Sequence, residues 1–169
     1  YGYGHDRQEL VEDCRKIFGS YLENGFTPGG FFRERVSFIN DPKGEDRLAN
    51  SIRRQSEAVY AMLHYLDYER ANGRKHPEWE HRLRNILDMF LKIQNADGSF
   101  PRKFKDDFTI TDKSGGSTPS ATLPLVMAYK YFKDKRYLES AKYTADYLEK
   151  ELISKADYFS STLDANCED

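Results

Sequence analysis

The chain has 169 residues, enough for one domain with a real hydrophobic core. Hydrophobic residues make up 38% and charged residues 32%, and the formal net charge is −2, which excludes a strongly basic, nucleic-acid-binding surface. No apolar run approaches the length that a membrane-spanning helix needs, and Tyr1-Gly2-Tyr3-Gly4-His5 leads into a polar helix with no signal peptide ahead of it. Cys14 and Cys167 lie far apart, so a disulfide is not implied and no metal-ligand spacing exists. Aromatic residues reach 14%, with 12 Tyr and 11 Phe, a composition that suits a binding cleft and helix packing alike.

Asp6 and Glu9 form a D-x-x-E pattern that predicts a capped helix. Leu10, Val11, Cys14, Ile17, Phe18, Tyr21 and Leu22 then recur on one face, with Asn24-Gly25 as the stop. Cys14 lies on that stripe and is expected to be a buried thiol. A long connection follows, from Phe26 to Asn50, and part of Phe31 to Ile39 reads as a short strand or hairpin.

The next helix is capped by Asn50 or Ser51 and runs to about Asn72-Gly73. Its Ser56, Ala58, Val59, Tyr60, Ala61, Met62, Leu63, Tyr65 and Leu66 are apolar or small nearly all round, which predicts an enclosed helix. After a short turn Pro77 opens a third helix, with Trp79, Leu83, Ile86, Leu87, Phe90 and Leu91 on one stripe. The segment from Asn95 to Gly116 reads as irregular, since Asp97-Gly98 and Phe100-Pro101 are turn chemistry. Ser117-Thr118-Pro119 opens an enclosed helix in which Pro124 should bend or delay the start. Asp134 caps a one-sided helix carrying Tyr137, Leu138, Ala141, Thr144, Ala145 and Leu148. Ser161-Thr162-Leu163-Asp164-Ala165 reads as one more helix start.

Enclosed and one-sided helices alternate, and Trp79 and Tyr137 open equivalent helices about 58 positions apart, a repeat of helical hairpins. The expected fold is all-α, an α/α toroid of which this single domain is about half, with the first helix of each hairpin inside. Short turns then gather at one end. The long connections before Ser51, Ser117 and Ser161 gather at the other, over inner-helix N-termini with free N–H groups. A cleft there is the default binding site.

Gln94-Asn95-Ala96-Asp97-Gly98-Ser99-Phe100-Pro101 after an outer helix resembles the six-hairpin glycosidases, the α/α-toroid carbohydrate enzymes, and specifically polysaccharide-degrading proteins of Bacteroides-type bacteria. Gly116-Ser117-Thr118-Pro119-Ser120-Ala121 and Ser161-Thr162-Leu163-Asp164-Ala165 carry the same resemblance, which runs from about Ser51 to Asp169. It implies a fragment of a larger barrel, a carbohydrate substrate and a glycoside hydrolase in the periplasm or outside the cell. Lyase or epimerase action and a non-catalytic helical-repeat scaffold are the alternatives.

Glycoside hydrolysis needs two carboxyl groups flanking the bond. The resemblance places a general acid at Asp164; Glu168, one helical turn on and about 6 Å away, would raise its pKa. Asp97 is the candidate base or hydroxyl ligand. Phe100 and Phe104 are candidate sugar-stacking rings, with Phe31, Phe32 and Tyr158 behind them. Arg33 and Arg102 are candidate partners for a uronic carboxylate, with Arg35, Arg53 and Lys103 in reserve. Gln55 and Glu57 sit in the first turns of their inner helix, where they reach the cleft. His5, His64, His76 and His81 do not cluster, so no metal site or triad is expected, and no nucleotide-cofactor fingerprint is present.

Overall fold

The computed structural model describes residues 2–34 and 49–155. Five helices carry the described chain: α1 (Gln8–Asn24), α2 (Ile52–Ala71), α3 (Pro77–Ile93), α4 (Pro119–Phe132) and α5 (Lys135–Tyr147). Three very short strands join them: β1 (Asn50–Ser51), β2 (Lys103–Phe104) and β3 (Ile110–Asp112). No described helix is long and apolar enough to cross a membrane.

Helix α3 shows how pattern becomes packing. Pro77 sits in its first turn, where the missing N–H costs nothing, and Glu78 and Glu80 match the dipole. Trp79, Leu83, Ile86, Leu87, Phe90 and Ile93 are all buried, each contributing roughly 1.5–3 kcal/mol of apolar burial. Against them lie Val59, Met62, Leu63 and Leu66 of α2 and Leu125 and Ala128 of α4, in one continuous core. Phe18 of α1 closes the side, its ring 4.3 Å from Tyr65 and 6.4 Å from Trp79.

Helix α2 packs along α4, α4 along α5, and α3 touches α5. The layers are therefore α2 and α4 inside, α3 and α5 outside, as the alternation requires. The turns Asn72–His76 and Lys133–Asp134 share one pole, where the Arg70 guanidinium lies 3.9 Å from the centre of the Tyr131 ring. The described parts of the first two long connections meet at the opposite pole.

Four details differ from the sequence reading. The Asp6-x-x-Glu9 box does not form: Asp6 takes a left-handed φ of 52°, Arg7 holds the cap position, and Arg7 pairs with Glu9. Cys14 is an exposed thiol, because α1 turns Val11 and Phe18 inward and leaves Cys14 and Ile17 on its open side. The inner helices are buried on one face only; Tyr60, Tyr68 and Leu123 lie on open faces of α2 and α4. The segment after Asn95 is not wholly irregular, since β2 and β3 form an antiparallel hairpin and β1 pairs with β2 through Asn50 with Phe104 and Ser51 with Lys103.

Candidate functional site

Three features build the mouth at the long-loop pole. The first is the small sheet, which ties the start of α2 to the loop before α4. Ile52 donates its N–H to the Arg102 carbonyl at 3.1 Å, so the first turn of α2 is seated on that loop. The second is Asp106. One carboxylate oxygen accepts from Thr27 Oγ1 and Asn50 Nδ2, both at 2.9 Å, and the other accepts from the Gly29 N–H at 2.8 Å. One side chain thus fastens two long connections to each other. The third is Thr118, whose hydroxyl accepts from the Phe100 N–H at 2.9 Å and anchors the Asp97 loop beside the start of α4.

Asp106→Ala is expected to cost about 1–2 kcal/mol, since it strands three donors of which one is a backbone N–H. Amide hydrogen exchange checks this: Gly29 and Asn50 should lose protection while α3 keeps it.

The sequence-predicted residues divide sharply. Asp164, Glu168 and Asp169 lie outside the described residues, as do Arg35, Tyr158 and the third long connection. Asp97 is exposed at the long-loop pole, on the rim side. Its Oδ1 accepts from the Ser99 hydroxyl at 2.6 Å and the Ser99 N–H at 2.9 Å. Those bonds, the hydroxyl's foremost, hold its carboxyl below the usual range against the opposing effect of burial. An ionised Asp97 has the character of a base or hydroxyl acceptor and is unfit to be an acid.

Phe100 and Phe104 are not cleft rings. Both are fully buried, as are Phe31 and Phe32, because the hairpin folds them into the core: Phe104 meets Phe31 at 4.9 Å and Phe100 meets Phe90 at 6.2 Å. The open aromatic of this loop is Phe108, at the hairpin tip with a left-handed φ of 69° and its ring 6.2 Å from Phe31. Gln55 is also withdrawn from the cleft. Its amide pairs with both backbone groups of Phe32, at 2.8 and 2.9 Å, and its neighbour Glu34 accepts from it at 3.1 Å. It pins the first loop to α2.

Arg33 is exposed and donates to the Phe26 carbonyl at 2.7 Å. Arg102 is half-buried and reaches Asp112 at 3.5 Å. Burial pushes the Asp112 carboxyl up, but the N–H and hydroxyl of Ser114 and the charge of Arg102 bring it below the ordinary range. On the open face of α2, Arg53 pairs with Glu57 at 3.0 Å, and Arg54 lies 3.5 Å from Glu34. The mouth therefore presents cations together with two exposed carboxylates, Asp97 on the rim and Glu57, paired with Arg53, in the second turn of an inner helix. Such a surface binds hydroxyl and carbonyl oxygens and can place an acid or base against them. Among the described residues, no three His, Cys, Asp or Glu side chains are grouped to hold a metal ion.

Asp106, Phe108 and Gln94 were missed by the sequence reading. No periodic signal separates Asp106 from Asp107. Gln94 was visible in the loop motif, but its task is set by a helix 46 positions on, where it meets the Ser140 carbonyl at 3.1 Å.

No family model matches the chain. Among solved structures it is similar to a sugar epimerase from a ruminal bacterium, with a TM-score of 0.65 and 20% identity over 84% of this chain. It is also similar to the cellobiose 2-epimerase of Spirochaeta thermophila, with a TM-score of 0.59 and 18% identity over 85% of this chain. The matches cover 36% and 33% of those proteins, so the chain spans about a third of their length. They do not bear on the Bacteroides-type resemblance. Paired layers, short turns at one pole and two fastened long connections at the other make the described residues part of an α/α toroid, the fold of the two similar structures.

Proposed function

We propose that the chain is part of a carbohydrate-active enzyme whose substrate enters at the long-loop pole. The observation that carries this reading is the joining of two long connections by Asp106 and the β1–β2–β3 sheet over the starts of α2 and α4. That joining makes a fixed, polar rim at the starts of the inner helices. The rest of the barrel would complete the cavity, in line with a chain about a third as long as the two similar epimerases.

Epimerisation of a sugar is the better supported reaction and hydrolysis the second, because both similar structures are sugar epimerases. Epimerisation beside a carbonyl removes a proton from one face of a carbon and returns one to the other face. Hydrolysis sets an acid against the leaving oxygen and a base or nucleophile on the far side. Either task uses two proton-carrying groups across a short gap. Glu57 on α2, exposed and paired with Arg53 at 3.0 Å, is the proposed carboxylate of the described mouth. Asp164 and Glu168 remain the proposed carboxylates of the next inner helix, and Asp97 a rim acceptor.

The test is incubation of the full-length protein with cellobiose and other reducing disaccharides in deuterated water, followed by NMR. New epimer signals with deuterium at the epimerised carbon are expected. Released monosaccharide would replace epimerisation by hydrolysis. Saturable binding without turnover would make the protein a scaffold. Glu57→Gln should lower turnover at least about tenfold with little change in KM if Glu57 carries a proton.

A further inference from the structure

A second binding surface lies on the outer wall. Between the C-terminal part of α3 and the length of α5 runs an open cleft of about 730 Å³. Lys135, Glu139, Lys142, Tyr143 and Asp146 of α5 and Leu91 of α3 line it. The α5 residues recur at three- and four-residue spacing, so one helix face presents all five. The cleft is shallow and open, a surface that a chain can lie along rather than an enclosed cavity.

Tyr143 gives the cleft its character. The residue is 46% exposed, large for an aromatic beside a packed core. The hydroxyl donates to the Ala96 carbonyl, so the ring is held at one end by the Asp97 loop. Gln94 fixes the surroundings, bonding Ser140 and Thr144 on α5 and Gly98 on the loop. An exposed aromatic side chain is thus tethered at its hydroxyl end, with less ordering cost left for a ligand to meet.

The charges around it balance. Lys135 and Lys142 face Glu139 and Asp146, and Lys142 pairs with Glu139 at 3.0 Å. Arg136, which also borders the cleft, is committed to Asp88 at 3.0 Å and Asp134 at 2.7 Å. A cleft without net charge gives a polyanion no long-range attraction. Interleaved carboxylates and ammonium groups beside an aromatic face do match a ring that is apolar on one face and hydroxylated at its edge.

We propose that this cleft binds the neutral pyranose units of a glycan chain, stacked on Tyr143 with equatorial hydroxyls shared between Asp146, Glu139 and the lysines. The choice of a glycan rests on the carbohydrate reading above, but the site needs no turnover.

The test follows amide resonances of Leu91 and Tyr143 in the full-length protein during titration with cellohexaose, xylohexaose and mannohexaose, with oligogalacturonate as a charged control. At least one neutral hexasaccharide should shift both resonances saturably. Tyr143→Ala should weaken it about tenfold, and Tyr143→Phe should stay within about twofold. Both variants lose the bond to Ala96, so their difference reports the ring alone. Asp146→Ala should weaken binding about threefold. Equal binding by Tyr143→Ala, no saturable shift with any neutral hexasaccharide, or tighter binding of oligogalacturonate would overturn the proposal. Turnover without binding here removes the cleft alone; binding here without turnover removes the catalytic reading alone.

Discussion

Glu69→Ala is expected to cost about 3 kcal/mol of stability, because it removes the buried carboxylate that Arg15, Tyr3 and His76 share at the short-turn pole. The Glu69 side chain is 0% exposed. Arg15 of α1 meets both of its oxygens at 3.2 Å, His76 Nε2 lies 2.8 Å away, and the Tyr3 hydroxyl donates to it. Tyr3 accepts in turn from Arg15 at 2.7 Å and Arg74 at 3.0 Å. This network joins the N-terminal segment, α1 and the α2–α3 turn across three stretches of chain. Urea unfolding checks the cost: the midpoint should fall with the slope unchanged.

The same residue sets an acid limb. Burial pushes the Glu69 carboxyl up, but hydrogen bonds from Arg15, Tyr3 and His76 and the Arg15 charge outweigh it and pull it down to about 2 from an ordinary 4.5. In that window the unfolded chain binds more protons at this position than the native one, so stability rises with pH. The contribution is complete above pH 4.5 and is lost as pH falls through about 2. Glu69→Gln keeps the shape and removes the charge. It should flatten the stability profile between those two values while leaving the thermal transition cooperative. An unchanged acid limb would mean that the carboxylate is not the native partner of Arg15.

What was legible in the chain follows from what has a period. Helix α3 was readable because Trp79, Leu83, Ile86, Leu87 and Phe90 keep helical spacing and all reach the core. The division into inner and outer helices was readable because the stripes differ in width from helix to helix. In this part of the ring α2 is covered on one face, with Leu63 buried and Tyr60 and Ala61 exposed; what covers a residue is set by neighbours and not by spacing. The sheet was invisible for a simpler reason. Strands of two residues, such as Asn50–Ser51 and Lys103–Phe104, have no period to detect. The rings of Phe100 and Phe104 were taken for cleft walls because a loop aromatic looks the same whether it points out or in. Only the pairing with Phe90 and Phe31 decides that. Asp106 shows the general limit. Its importance comes from Thr27, Gly29 and Asn50, more than fifty positions away, and a local reading sees only a second acid in a hairpin loop.

Gly98→Ala should cost about as much as Glu69→Ala, for a steric rather than an electrostatic reason. Gly98 has a φ of 94°, in a region that L side chains rarely adopt. A Cβ there would stand 2.3 Å from the Tyr143 carbonyl oxygen and 2.8 Å from its carbon. Those atoms are helical backbone, so no flexible tip can move aside. The loop must lift from α5, and its lifting would break two bonds that Gln94 makes at once, to the Gly98 carbonyl at 3.1 Å and the Ser140 carbonyl at 3.1 Å. Strain at the residue and overpacking against backbone each contribute about 1–3 kcal/mol, so a loss near 3 kcal/mol is expected. Asp97→Ala, one residue away, removes only the two bonds from Ser99 in an exposed turn and should cost about 1 kcal/mol. The contrast separates a seat from a turn. A double-mutant cycle with Gln94→Ala sharpens it: once the loop has lifted, Gln94 has less left to hold, so the two losses should sum to more than the double variant shows. Strict additivity, or a Gly98→Ala midpoint equal to the parent's, would mean that the Asp97 loop does not rest on α5, and the cleft beside Tyr143 would lose the support that holds its ring in place.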